Sequence, residues 1–136
     1  MATATIIAGV LSVLAGVLHV GVFAAESLWW RRPQVWPSFG VRTQDAADAA
    51  VFFTFNQGFY NLFLALGALA GPLCLLLGEG TADTVGWTLL VYACASMTTA
   101  AAVLRLGCGP SYTRPATIQA VFPTLALLAA LVVAMR

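Results

Sequence analysis

The chain reads as an all-α integral membrane protein, a bundle of four transmembrane helices. Three observations predict this class. Of 136 residues, 61% are apolar and only 8% charged, whereas soluble domains carry roughly a quarter charged residues. Too little polar surface remains to cover a water-soluble globule. Four apolar stretches each reach the roughly 20 residues that a helix needs to cross the hydrocarbon core, at about Thr5–Trp29, Ala49–Leu77, Thr84–Leu106 and Ala116–Met135. Finally, spans and short connections consume nearly the whole sequence, which predicts a single membrane domain over residues 1–136.

The first stretch resembles a secretory signal only superficially. No charged segment precedes it, and Phe23-Ala24-Ala25-Glu26 is a poor cleavage site, so a retained helix is expected. Trp29, Trp30 and Trp36 gather where this helix ends, beside Arg31 and Arg32, as aromatic belts do at a membrane interface. Glu26 then lies just inside that interface. His19 and Glu26 are seven positions apart and differ by only about 20° around an ideal helix, with Phe23 and Trp30 on the same stripe. One face of the first helix is therefore expected to be aromatic and ionisable.

The connection Arg31–Asp48 is the longest and most polar, with Pro33, Pro37, Gly40 and Arg42, and is suited to cap one mouth of the bundle. In the second stretch, Asn56-Gln57-Gly58-Phe59-Tyr60-Asn61 pairs Asn56 with Tyr60 and Gln57 with Asn61 one turn apart. Lipid cannot satisfy such amides, so they are expected to face protein or a cavity. Gly67 and Gly71 form a GxxxG that permits close approach of a neighbouring helix, read first as packing within the monomer and second as a dimer seam. Pro72 and Pro123 fall inside spans and should bend them, because proline withdraws a backbone donor.

The second connection, about Gly78–Asp83, carries Glu79 and Asp83 but no cation. The third, about Gly107–Pro115, carries Arg114 and lies beside Arg105. The positive-inside rule then predicts a cell-membrane protein with the first and third connections cytoplasmic and both termini outside. The third span adds Tyr92, Ser96 and Thr99, and the fourth adds Gln119. Together these residues suggest one polar pocket walled by all four helices.

The pattern His19…Glu26…Trp30, Asn56-Gln57-Gly58-x-Tyr60-Asn61-x-Phe63-Leu64-Ala65 and Gln119-x-x-x-Pro123 resembles the small four-helix bacterial membrane proteins of the domain of unknown function 1304 family. The resemblance covers most of the chain. It implies the four-helix topology and the importance of those positions, and it implies no activity. The long, Pro-rich and Trp-rich first connection departs from the usual pattern.

Several functional classes lose their footing here. A net charge of +1 gives no basic patch for nucleic acid. Cys74, Cys94 and Cys108 have neither disulfide nor metal spacing, and His19 stands alone, so no metal and no cofactor are expected. Motifs of serine hydrolases, kinases and metalloproteases do not occur.

Three functional expectations remain. In the first, an enzyme holds Glu26 in a dry pocket as a general acid, since a carboxyl kept from water can stay protonated near neutrality. His19 would relay the proton and Tyr60 would assist. Phe23, Trp30, Asn56, Gln57, Asn61, Tyr92 and Gln119 would hold a lipophilic small molecule, such as a terpenoid, for isomerisation, cyclisation or epoxide opening. A proton- or solute-conducting transporter is the second, and it requires a homo-oligomer. A non-catalytic adaptor that binds a membrane lipid or partner helix in the same groove is the third.

Overall fold

A computed structural model of the chain describes residues 3–135. Helix α1 covers Thr3–Phe23 and runs directly into a π turn, Ala24–Leu28. Helices α2, α3 and α4 follow at Gln44–Leu77, Thr81–Cys108 and Thr113–Ala134. All four are long and apolar enough to cross a membrane, and the described residues contain no strand. The protein is thus a four-helix, multi-pass membrane bundle. Around its axis α1 packs on α2 and α4, α3 packs on the same two, and α1 faces α3 diagonally. The first and third connections consequently share one end of the bundle.

The observed α2 begins at Gln44, five residues before the apolar stretch suggests. Hydropathy registers only the lipid-facing part of a helix, whereas Thr43 supplies an N-cap in which its Oγ1 accepts from Ala46 N–H at 3.3 Å. Asp45 in the first turn suits the positive end of the helix dipole. With 34 residues, α2 is about 51 Å long at 1.5 Å per residue, well beyond a hydrocarbon core of about 30 Å. Its first turns therefore stand outside the membrane, at the end that carries the first connection.

Small residues set the helix spacing. A methyl group at Gly71 would lie 2.8 Å from Leu90 N and 2.9 Å from Gly86 O, so the α2–α3 crossing is nearly backbone on backbone. Gly67 faces Ala93 on the same helix. The GxxxG is thus occupied within the monomer. Below this crossing, Ala8, Leu75, Leu90, Cys94, Ala126 and Ala130 form one buried apolar layer, and Ala15, Ala68, Ala93 and Met97 form another nearer the middle.

Pro72 is buried inside α2. Its missing N–H deprives the Ala68 carbonyl of its helical donor, and Ser12 Oγ on α1 donates to that carbonyl at 2.8 Å. Cys94 Sγ approaches the same hydroxyl at 3.6 Å. A proline that should weaken α2 has instead become a point where α1 is fastened to it.

Candidate functional site

The π turn positions the site. Trp29 N–H donates to Ala24 O at 2.9 Å, an i→i+5 bond, so the side chains beyond Phe23 leave the ideal helical register. Such turns are frequent at functional sites. Gly58 on α2 allows the turn to come close, because a methyl group there would overlap Ser27 Oγ and sit 3.1 Å from Glu26 Cβ and 3.2 Å from Phe23 O. Ser27 Oγ donates to Phe55 O at 2.8 Å and ties the turn to α2.

Glu26 is drawn inward by this arrangement and is only 8% exposed. Its Oε2 accepts a 2.8 Å hydrogen bond from Asn61 Nδ2, whose amide also donates to the Gln57 carbonyl at 3.2 Å. Beside this pair lies a cavity of about 370 Å³, toward the small end of ligand sites, which run from about 300 to 1,000 Å³. Every helix contributes to its wall: Glu26 from the turn after α1, Gln57 and Asn61 from α2, Leu104 from α3, and Ile118 and Gln119 from α4.

The roof comes from the two connections at this end. Ser38 and Phe39 belong to a 3-10 turn, Trp36–Phe39, and Tyr112 ends another, Pro110–Tyr112. Gly40, at φ 80°, follows the first turn in the left-handed region, where glycine is at ease. A methyl group on it would come within 3.1 Å of the Tyr112 ring, so the first and third connections close on each other there. The first connection thus does cap one mouth of the bundle.

Trp30 supports the roof from below. It is 4% exposed, its Nε1–H donates to Ala47 O at 2.9 Å, and its ring meets Phe39 edge-on with centroids 5.5 Å apart. It therefore braces the cap and does not line the cavity. Trp29 is the more exposed neighbour, with Arg32 over its ring at 5.5 Å.

His19 is fully buried but does not touch Glu26. Its Nδ1 bonds the Ala15 carbonyl at 2.9 Å, and its Nε2 meets Gln119 Nε2 at 3.4 Å. The direct relay from His19 to Glu26 expected from the seven-residue spacing is absent, because seven residues also separate the two along the axis by about 10 Å. Gln119 stands between His19 and the cavity instead.

The other expected site residues divide by helix face. Gln57 and Asn61 line the cavity, whereas Asn56 is exposed and Tyr60 is 56% exposed on the outer side of α2. The face of α2 turned inward is Gly58, Asn61, Ala65 and Ala68, and Asn56 and Tyr60 lie off it. Phe23 packs edge-on against Phe59 with centroids 5.1 Å apart. Tyr92 is 70% exposed, because α3 turns Leu90, Ala93, Cys94, Met97 and Ala101 inward. The sequence reading missed Ser38, Phe39 and Tyr112. A polar, proline-rich connection signalled a cap, but no periodicity could tell which of its side chains point down.

Residues 13–131 match the family described as "Protein of unknown function (DUF1304)". The chain belongs to this family. No curated protein and no solved structure matches the chain. Of the residues that carry the resemblance, Glu26, Gln57, Asn61 and Gln119 meet at the cavity, and His19, Gly58 and Trp30 hold them or the roof in place.

Proposed function

We propose that this member of the DUF1304 family is a membrane enzyme that transfers a proton to and from a lipophilic small molecule, with Glu26 as the acid. One observation carries the proposal: a buried carboxyl group whose Oε2 is held by Asn61 stands on a cavity walled mainly by apolar side chains. A charged acid costs roughly 2.5–3.5 kcal/mol on insertion scales at the helix centre and less near the interface, where Glu26 lies, and a purely structural carboxylate would be expected to have a charged partner. Glu26 is instead bonded by the Asn61 amide and lines the cavity.

The Asn61 amide can only donate to Oε2, which leaves Oε1 to carry the acidic proton toward the cavity. Delivery of that proton to an alkene carbon or epoxide oxygen generates a cationic centre and a carboxylate. The carboxylate then removes a proton from a neighbouring carbon, so that substrate atoms are conserved and no co-reactant is consumed. Isomerisation, cyclisation and epoxide opening to an allylic alcohol all fit this balance. Phe39 and Tyr112 line the cavity and are the aromatic rings available to shelter the developing cation, the role that Phe23 and Trp30 were expected to fill. His19 acts on Gln119, not on the reacting proton.

Conduction is less well supported. Along α1, the layer of Ala15, Ala68, Ala93 and Met97 separates His19 from Ser12, and each of the four is at most 1% exposed. A polar route through the monomer would have to cross it. The arginines of the first and third connections favour a cytoplasmic position for the cavity end.

The test uses wild-type protein and Glu26→Gln in nanodiscs made with D2O buffer, offered a panel of terpenoid alkenes and epoxides. With the alkenes, wild type should place carbon-bound solvent deuterium in product or recovered substrate, and with the epoxides, where the deuteron goes to an exchangeable hydroxyl, it should form the allylic alcohol; the variant should do neither. The same outcome with both proteins would remove Glu26 as the acid.

A further inference from the structure

The hydrogen bonds that build the cavity leave a biased set of free polar atoms. The Ala15 carbonyl can only accept, so the 2.9 Å contact requires a proton on His19 Nδ1. In the neutral ring Nε2 is then an acceptor, and the Gln119 amide must turn its NH2 toward it at 3.4 Å. Gln119 Oε1 is left over. At the opposite wall, Asn61 Nδ2 spends its two hydrogens on Glu26 Oε2 and the Gln57 carbonyl, leaving Asn61 Oδ1.

Neither leftover oxygen is sealed in. Among the described residues, the one buried side-chain polar atom without a partner is Trp36 Nε1. Gln119 Oε1 and Asn61 Oδ1 make no hydrogen bond and therefore keep accessible surface, and both residues line the cavity. Both atoms can accept and neither can donate. The hydroxyls of Ser38 and Tyr112 and the amide of Gln57 can act either way and do not offset this bias. Among the described residues no cationic side chain lines the cavity, so none of them compensates a carboxylate or phosphate there.

We infer that the cavity takes a lipophilic molecule whose polar end donates a hydrogen bond, an alcohol or amine in place of an ether, aldehyde or acid, and that His19 is the positioning residue that enforces this preference by fixing the Gln119 amide. The inference rests on the proposed use of the cavity as a substrate site and adds the class of substrate. The donor end would sit between Gln119 and Asn61, leaving Glu26 Oε1 free for the reacting carbon or oxygen. A site built to bond a hydroxyl discriminates strongly against an analogue without one, because its own polar atoms are then left unpaired.

The test is a titration of protein in nanodiscs with 1-octanol, octylamine, methyl octyl ether and octanal at equal membrane-phase mole fractions, with bound ligand counted by native mass spectrometry. Wild type should bind the alcohol at least about tenfold more tightly than the ether or aldehyde, as expected for one buried acceptor left unpaired. Octylamine should also exceed the ether; if it exceeds octanol in wild type but not in Glu26→Gln, the native donor is an amine paired with Glu26. His19→Phe frees the Gln119 amide to rotate, and Gln119→Leu removes the acceptor. Each should bring alcohol and ether to within about twofold, and Gln119→Leu serves if His19→Phe fails to fold.

Equal binding of ether and alcohol by wild type, or binding of none of the four, overturns the inference. So does an alcohol preference that survives both variants. Its failure is distinct from failure of the proposed reaction: alcohol preference without deuterium transfer would remove the reaction alone, and deuterium transfer with no donor preference would remove this inference alone.

Discussion

Gly58→Ala should damage the fold and the cavity together, and the size of the effect follows from three contacts. The added methyl group overlaps Ser27 Oγ and stands 3.1 Å from Glu26 Cβ and 3.2 Å from Phe23 O. The last two are fixed by the backbone, one within the π turn and one at the residue that leads into it, and cannot rotate away. Overpacking of this kind costs about 1–3 kcal/mol. Displacement of Ser27 from Phe55 O adds roughly 0.6 kcal/mol, the average for an interhelical hydrogen bond in a membrane. Alanine returns about 0.8–1 kcal/mol through helix propensity. The net expectation is a loss of about 0.6–2.8 kcal/mol, read by reversible unfolding in mixed micelles. Gly21→Ala is the control, since a methyl group there meets nothing within 4 Å and should be neutral or stabilising. Because both variants share the propensity gain, their difference isolates the overpacking together with the displaced Ser27 bond. A difference below about 0.5 kcal/mol would refute the claim that Gly58 exists to admit the π turn.

Ser12→Ala should destabilise by roughly 0.6–1.7 kcal/mol, and Pro72→Ala in the same background should recover most of it, because alanine restores the N–H that Ala68 O lacks; the double cycle is measured by the same unfolding assay. Trp30→Phe should loosen the roof, since the 2.9 Å bond to Ala47 O is lost, and hydrogen exchange at residues 43–48 should accelerate by up to about tenfold, the equivalent of about 1.4 kcal/mol. Tyr60→Phe and Asn56→Ala should change neither deuterium transfer nor ligand binding by more than about twofold, or about 0.4 kcal/mol, because both side chains lie outside the cavity. Asn61→Leu, by contrast, strips Glu26 of its partner and should abolish transfer while the four spans remain intact by circular dichroism.

The fold was legible because a membrane imposes one dominant rule: backbone polar groups must be satisfied inside each segment. Four apolar stretches of the right length leave little choice beyond four helices. The GxxxG at Gly67 and Gly71 and the capping first connection also follow from composition, since small residues invite close crossings and polar prolines do not enter spans. The start of α2 at Gln44 did not follow from hydropathy, which is silent outside the membrane. Thr43 and Asp45 carried that information as cap and dipole signals.

The candidate site was legible in its residue types and less so in its geometry. Glu26, Gln57, Asn61 and Gln119 stood out because lipid cannot satisfy them, and that argument holds wherever the helix turns. Angular bookkeeping on an ideal helix was weaker, for a local reason. An i→i+5 turn begins at Ala24, between His19 and Glu26, and no residue type in Ala24-Ala25-Glu26-Ser27-Leu28 demands it. What makes room for it is Gly58, 32 positions beyond Glu26 in sequence. The same turn that defeats the helical wheel places a carboxyl group beside Asn61, and so the feature least readable from the first helix alone is the one on which the proposed chemistry depends.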